Sequence, residues 1–222
     1  MKKDFFEKLS IVSLTGIGLA VLALTGCRSA GYVKSDAASG RLQRAAIEVR
    51  AEGTTLDMAI SALNDLINKP SGDLRLQFGR FSQALDQSEK ANKRATDQIP
   101  GIRKSGAAYF EAWDRYILTL NDDQIHQSSS ARKLETVKQF DATLQSYADT
   151  ENAARPVIDY LKDIRIALST DLTMGGVQAA REPAKIATDK AEKAKVQLTR
   201  SAADLDALSG KMSFFAPPPP AK

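Results

Sequence analysis

Apolar residues fall at alternating intervals of four and three along most of the chain beyond residue 41, and that spacing admits few folds. Leu42, Ala46, Val49, Gly53, Leu56, Ile60, Leu63 and Ile67 open the series. Steps of three and four return to one face of an α-helix, so the series reads as the seam of a coiled coil. A β-fold needs alternation every two residues and draws on aromatic and β-branched side chains. Aromatics make up only 6% of this chain, although 43% of it is apolar. The expected fold is therefore all-α: an elongated antiparallel four-helix, coiled-coil-like bundle.

Four segments carry the seam. The first covers residues 37–68, with Asp36 as its N-cap. Gly53 is its weak position and offers a close approach to a neighbouring helix. Residues 69–72, Lys-Pro-Ser-Gly, break the helix. The second segment, 73–120, runs through Leu74, Phe78, Phe81, Leu85, Ser88, Asn92, Ala95, Ile99, Ile102, Gly106, Tyr109, Trp113, Tyr116 and Leu120. Its register crosses Pro100 without a slip, which predicts one kinked helix or two nearly collinear ones. Ser88 and Asn92 put polarity on that seam, a means of fixing register.

Residues 121–127 read as a polar turn, and Ser128, Ser129 and Ser130 as caps for a third helix over 131–168. Its seam includes Val137, Phe140, Leu144, Tyr147, Ala154, Ile158, Leu161 and Leu168, with Glu151 and Arg165 at two further seam positions. Those two either pair with other helices or mark a wetter seam. Pro156 predicts a kink, or an end to the first half of this helix near Ala154. After a break at 169–176, the fourth segment, 177–208, has an alanine-rich seam. Ala180, Ala184, Ala187, Ala191 and Ala194 sit on it, and Gly210 reads as its C-cap. Such a seam packs closely and is a candidate contact for self-association or for an envelope protein partner.

The N-terminus carries an address. Lys2, Lys3 and Lys8 precede an apolar run from Leu9 to Leu24. That run is shorter than the ~20 residues needed to span a bilayer, so it reads as the core of a signal peptide. It ends in Leu24, Thr25, Gly26 and Cys27, which resembles a lipobox. Small residues give a peptidase access to the backbone, and the thiol of Cys27 offers the nucleophilic sulfur for acyl attachment. The expected organisation is a lipoprotein signal peptide over 1–26, a lipidated tether over 27–35, a helical bundle domain over 36–210 and a disordered Pro-rich tail over 211–222. The expected partner of the N-terminus is a membrane, through its acyl chains. Arg28 after the lipidated Cys predicts the periplasmic face of the outer membrane in a cell with two membranes, and a cell-membrane lipoprotein in a cell with one.

Little in the chain speaks for catalysis. The single His, His126, excludes a di-iron bundle, and with a single Cys it excludes His/Cys zinc sites. Gly101 and Gly106 have the spacing of a phosphate loop, but Ala107 stands where its Lys belongs. The net charge of +4 falls to about +3 once residues 1–26, with three Lys and two acids, are removed. No basic stripe or known module points to nucleic acid. The expectation is a non-enzymatic protein with no cofactor and no metal. Tyr109, Phe110, Trp113 and Tyr116 form the densest aromatic group, which reads as a core cluster or as the wall of a ligand cleft.

The stretch Phe110-Glu-Ala-Trp113, the serines 128–130 with Leu134, and Pro156-Val157-Ile158 with Asp163, Leu168 and Leu172 resemble the domain-of-unknown-function 2959 family. The resemblance covers about residues 36–208. It implies a bacterial, helical and often lipid-anchored protein, and it brings no activity. The family's Leu-Lys-His-Asn-Leu-Asn stretch is replaced here by Leu168-Ser-Thr-Asp-Leu-Thr173, which puts any role of those polar residues in doubt for this chain.

Overall fold

The computed structural model describes residues 30–213, and all regular structure among them is helical. The signal segment, Leu24, Thr25, Gly26, Cys27 and residues 214–222 of the Pro-rich tail lie outside the described residues, whereas Lys211 and Met212, expected in the disordered tail, are helical. Six helices follow in order: α1 (Ala30–Asn68), α2 (Leu74–Thr96), α3 (Ile99–Ile117), α4 (Asp123–Thr170), α5 (Met174–Ala179) and α6 (Arg181–Met212).

Several boundaries differ from those expected. Residues 30–35, read as part of the tether, are already helical. The second segment is broken by a two-residue turn at Asp97-Gln98, where both residues keep right-handed helical angles. The turn leaves Pro100 in the first turn of α3, where its missing N–H costs nothing. The third segment starts at Asp123. Asp122 is its N-cap, its carboxylate accepting from Ile125 N at 2.9 Å, so Ser128, Ser129 and Ser130 lie inside α4. Pro156 does not end that helix. Asn152, whose carbonyl loses its helical donor, is exposed, so water can replace the N–H. Gly210 is not a cap, because α6 runs on to Met212.

The pairing of helices is legible in their ion pairs. Along α1 and α6, Arg50 meets Asp206, Asp57 meets Lys195 at 2.6 Å, and Asn64 meets Thr188 at 3.2 Å. Numbering falls along one helix as it rises along the other. The same holds for α2 and α4, where Asp86 pairs with Arg165 at 2.6 Å and Glu89 with Lys162 at 2.7 Å. Helix α1 packs along α2, α3 and α6, and so does α4. Glu52 of α1 and Glu151 of α4 meet through Asn92 of α2 in the middle of the fold.

Most seam positions are buried as expected, with departures in α1, at the end of α3 and in α4, where Ile164 is buried and Arg165 is not. In α1 the buried residue at the predicted glycine is Glu52, not Gly53, and a Cβ built on Gly53 would meet nothing within 4 Å. At the end of α3, Ala112 and Ile117 turn inward while Tyr116 faces solvent. A helix of 3.6 residues per turn drifts off a strict heptad in this way. The alanines of α6 at 184, 187, 191 and 194 are buried within the chain's own core.

That core is double. One apolar cluster joins Leu56–Ile67 of α1 to Phe81 and Leu85, Val157 to Leu168, and the alanines of α6. The other joins Ala38–Val49 to Ile102, Phe140, Leu144, Tyr147 and residues 198–212. Between them lies a polar level to which α1, α2, α4 and α6 all contribute.

Candidate functional site

Two places in the fold hold chemistry beyond packing. The first is the aromatic group at the end where α1 begins. Tyr109 sits 5.3 Å from Phe110 and 5.5 Å from Trp113, centroid to centroid, both tilted. Phe110 meets Phe140 of α4 edge-on at 5.4 Å. Trp113 Nε1 donates to Ser129 Oγ at 3.1 Å, which gives one of the expected cap serines its actual role. Gly106 makes this approach of α3 to α4 workable. A Cβ there would lie 2.2 Å from Phe140 Cζ.

The four aromatic residues do not share one environment. Phe110 packs on the apolar cluster around Phe140, as a core residue would. Tyr116 is exposed and lies beside Gly31. Tyr109, Trp113 and Tyr116 line an open groove of about 340 Å³ with Ser35, Arg132 and Lys211. Burial raises the Tyr109 phenol above its ordinary pKa, with Ser35 hydrogen-bonded to it and Arg132 near enough to oppose the shift. The groove therefore has an aromatic wall and two cationic side chains at its rim.

The second place is the polar level in the middle. Glu52, Ser88, Asn92, Thr150, Glu151 and Ser201 are all buried there, and both carboxyl groups are almost inaccessible to water. Asn92 Nδ2 donates to Glu52 Oε1 at 2.9 Å and to Glu151 Oε2 at 3.2 Å. Thr96 Oγ1 donates to the same Glu151 oxygen at 3.3 Å. Glu52 Oε2, Glu151 Oε1, Ser88 Oγ and Ser201 Oγ are buried with no partner. Burial is the main cause that raises both carboxyl pKa values. For Glu151 the adjacent Glu52 adds to the rise, and Thr96 and Arg155 oppose it.

Sequence reasoning placed Ser88, Asn92 and Glu151 on seams but missed Glu52, because an acidic residue beside a glycine reads as the exposed neighbour. Polar seam residues in two different segments were the available signal. Arg165, the other charged seam residue, resolves differently: it pairs with Asp86 at the surface.

Among the described residues no group of three His, Cys, Asp or Glu side chains is placed to hold a metal ion. No described helix is long and apolar enough to cross a membrane.

A family model described as "Protein of unknown function (DUF2959)" matches residues 25–208. The chain belongs to the DUF2959 family. The match spans every described helix apart from the last turn of α6 and opens two residues ahead of Cys27. Within this DUF2959 chain, two of the stretches that carry the resemblance touch through the Trp113–Ser129 hydrogen bond. No curated protein and no solved structure matches the chain.

Proposed function

We propose that this DUF2959 protein is a non-enzymatic, lipid-anchored component of the bacterial envelope, a spacer or adaptor folded as an elongated antiparallel four-helix, coiled-coil-like bundle. The observation that carries the reading is the use made of the helices. Their apolar stripes are spent on the chain's own core, and cross-helix ion pairs such as Asp86–Arg165 and Asp57–Lys195 lie toward the outside. A 48-residue α4 reaches about 70 Å at the usual rise per residue, several times the width of a helix. A rod of this kind spans distance. Cys27, three residues before the first described helical residue, supports attachment at one end, and Arg28 supports the periplasmic face of the outer membrane as its address.

The test is a Cys27→Ser protein followed by size and by fractionation. Acylation and cleavage depend on that sulfur, so the expected product is the larger precursor. A fully processed, membrane-bound Cys27→Ser protein contradicts the anchor. Recovery of the natural protein with the inner membrane on a density gradient contradicts the outer-membrane address.

The groove at Tyr109, Trp113 and Tyr116 favours a second reading, a ligand-binding sensor-type four-helix domain. Its aromatic wall and its two cations, Arg132 and Lys211, suit a ligand with a flat apolar part and an anionic group. A ligand that binds only the folded state raises its melting temperature. A thermal-shift screen of small aromatic acids, read on natural protein and on Trp113→Ala, separates this reading from the spacer.

A further inference from the structure

We propose that Glu52 and Glu151 hold one proton between them, and that this proton bolts the α2–α3 junction to the rest of the fold, so that losing it opens the middle of the molecule while the two apolar clusters stay packed. The claim goes beyond the spacer and does not depend on the lipid anchor.

The geometry leaves few alternatives. Asn92 has one amide group, and it spends that group on both carboxyls. Thr96 adds one hydroxyl to Glu151. The shared Asn92 amide holds the two carboxyl groups side by side, and each keeps a buried oxygen with no donor. Two ionised carboxylates this close inside an apolar core would repel, with too few donors to satisfy them. One proton turns the repulsion into a carboxyl–carboxylate hydrogen bond.

The surrounding charges do not relieve the pair. On α1, Glu48 adds a further negative charge, itself paired with Arg94 of α2 at 3.0 Å. On α4, Arg155 is the one cation acting on Glu151. From α2 come Asn92, Thr96 and Ser88, all uncharged. From α6 comes Ser201, at the level between the outer pairs Arg50–Asp206 and Asp57–Lys195. Tyr147 also faces the pair, and its phenol is pushed far above its usual range by burial and by the charges of Glu151, Glu52 and Glu48, so it stays protonated as a donor.

What the proton holds is the two-residue turn between α2 and α3. Helix α2 ends at Thr96 and α3 starts at Ile99, with Pro100 unable to donate a backbone bond. Backbone bonds from Asp97, Gln98 and Ile102 continue across the turn, and side chains of α4 add to them. Tyr147 donates its hydroxyl to the Ala95 carbonyl, and Glu151 accepts from Thr96. If the proton leaves to a base in solution, Glu151 is driven from Glu52 and carries its grip on Thr96 with it.

The sign of the pH dependence follows from the raised carboxyls. Glu151 is pushed up to about 9, chiefly by burial and then by Glu52. The folded chain therefore binds a proton that the unfolded chain has lost. That stability is fully present below the ordinary carboxylate range and drains away as pH rises toward about 9.

The experiment uses the full chain, with melting and hydrogen exchange followed from pH 5 to pH 9.5. The expected result is a melting temperature that falls as pH rises. Exchange, corrected for its intrinsic base catalysis, should rise first over residues 88–102 while 56–67 and 198–208 stay protected. Glu151→Gln keeps a neutral hydrogen-bonding group, so its melting temperature should change little with pH and should exceed that of the natural protein at pH 9. Infrared spectroscopy of the natural protein supplies a measurement that needs no variant: a protonated carboxyl band should persist at pH 7. Parallel pH profiles for natural protein and Glu151→Gln overturn the proposal, as does absence of that band. Stabilisation at pH 9 by calcium or magnesium, lost in Glu151→Gln, overturns it too, since the pair would then hold a cation.

Discussion

Phe140 lies over Gly106 so closely that a methyl group has no room between them, 2.2 Å from the position of a Cβ to the ring. This contact sets the spacing of α3 against α4 and brings Phe110 edge-on to the same ring.

Gly106→Ala is expected to destabilise the protein despite the better helix propensity of alanine. The propensity gain is about 1 kcal/mol, and overpacking a filled core costs about 1–3 kcal/mol. The clash is with a buried ring, so the loss should win, and the urea midpoint should fall. Adding Phe140→Leu removes the ring atoms in the way. The double variant should therefore be less unstable than the sum of the two single changes, which a double-mutant cycle measures directly.

Ion pairs and core contacts along the same helix should differ sharply. Arg165→Ala removes the bond to Asp86, but Asp86 is largely exposed, and pairs of this kind contribute about 0–1 kcal/mol. Leu161, four residues earlier, is fully buried, and Leu161→Ala should cost about 2–5 kcal/mol. Denaturation curves of the two variants check the contrast. Equal losses would mean that the α2–α4 contact is held electrostatically.

How much of this was legible in the sequence varies by element. The seam of α6 reads off directly, because Ala184 to Leu208 keep one period without interruption and every seam residue is buried. The start of α4 did not. Asp122 and Asp123 look like a solvated turn, and only the bond from Ile125 N to Asp122 distinguishes a cap from a loop. The middle of α1 failed for a different reason. Periodicity assigns seam positions by hydrophobicity, so it put Gly53 inward, whereas the demand for a polar partner at the level of Asn92 and Glu151 turned Glu52 inward instead. The aromatic group was found as a cluster. Its division into a core residue, Phe110, and groove residues depends on helical drift across α3 that a heptad count does not carry.

Tyr147→Phe tests the joint between α2 and α3 from the α4 side. The change removes one hydroxyl and leaves the Ala95 carbonyl with the helical donor Gln98 N, at 3.0 Å, so no acceptor is orphaned. The expected loss is therefore that of an ordinary hydrogen bond, about 0.5–1.5 kcal/mol. In the natural protein, spectroscopic titration should show a phenol that stays protonated well above the ordinary tyrosine range while the fold persists. In Tyr147→Phe that phenol should be gone.

Pro156 gives the last prediction. It sits inside α4 with its ring exposed, and the carbonyl it leaves without a donor belongs to Asn152, also exposed. An interior proline costs a helix about 3 kcal/mol, part of which is the lost hydrogen bond and part the ring's clash with the preceding turn. Water recovers some of the first part here, so Pro156→Ala should stabilise the protein by about 1–2 kcal/mol. Its melting temperature should rise, with little change in helical circular dichroism, because the helix already runs through the site. The neighbouring Val157 and Ile158 are buried and hold this stretch to the core regardless of the proline. A fall in melting temperature on Pro156→Ala would mean that the proline bends α4 in a way the packing of Val157 and Ile158 requires. Repeating the substitution beside Ile158→Val would then show whether the two effects are coupled.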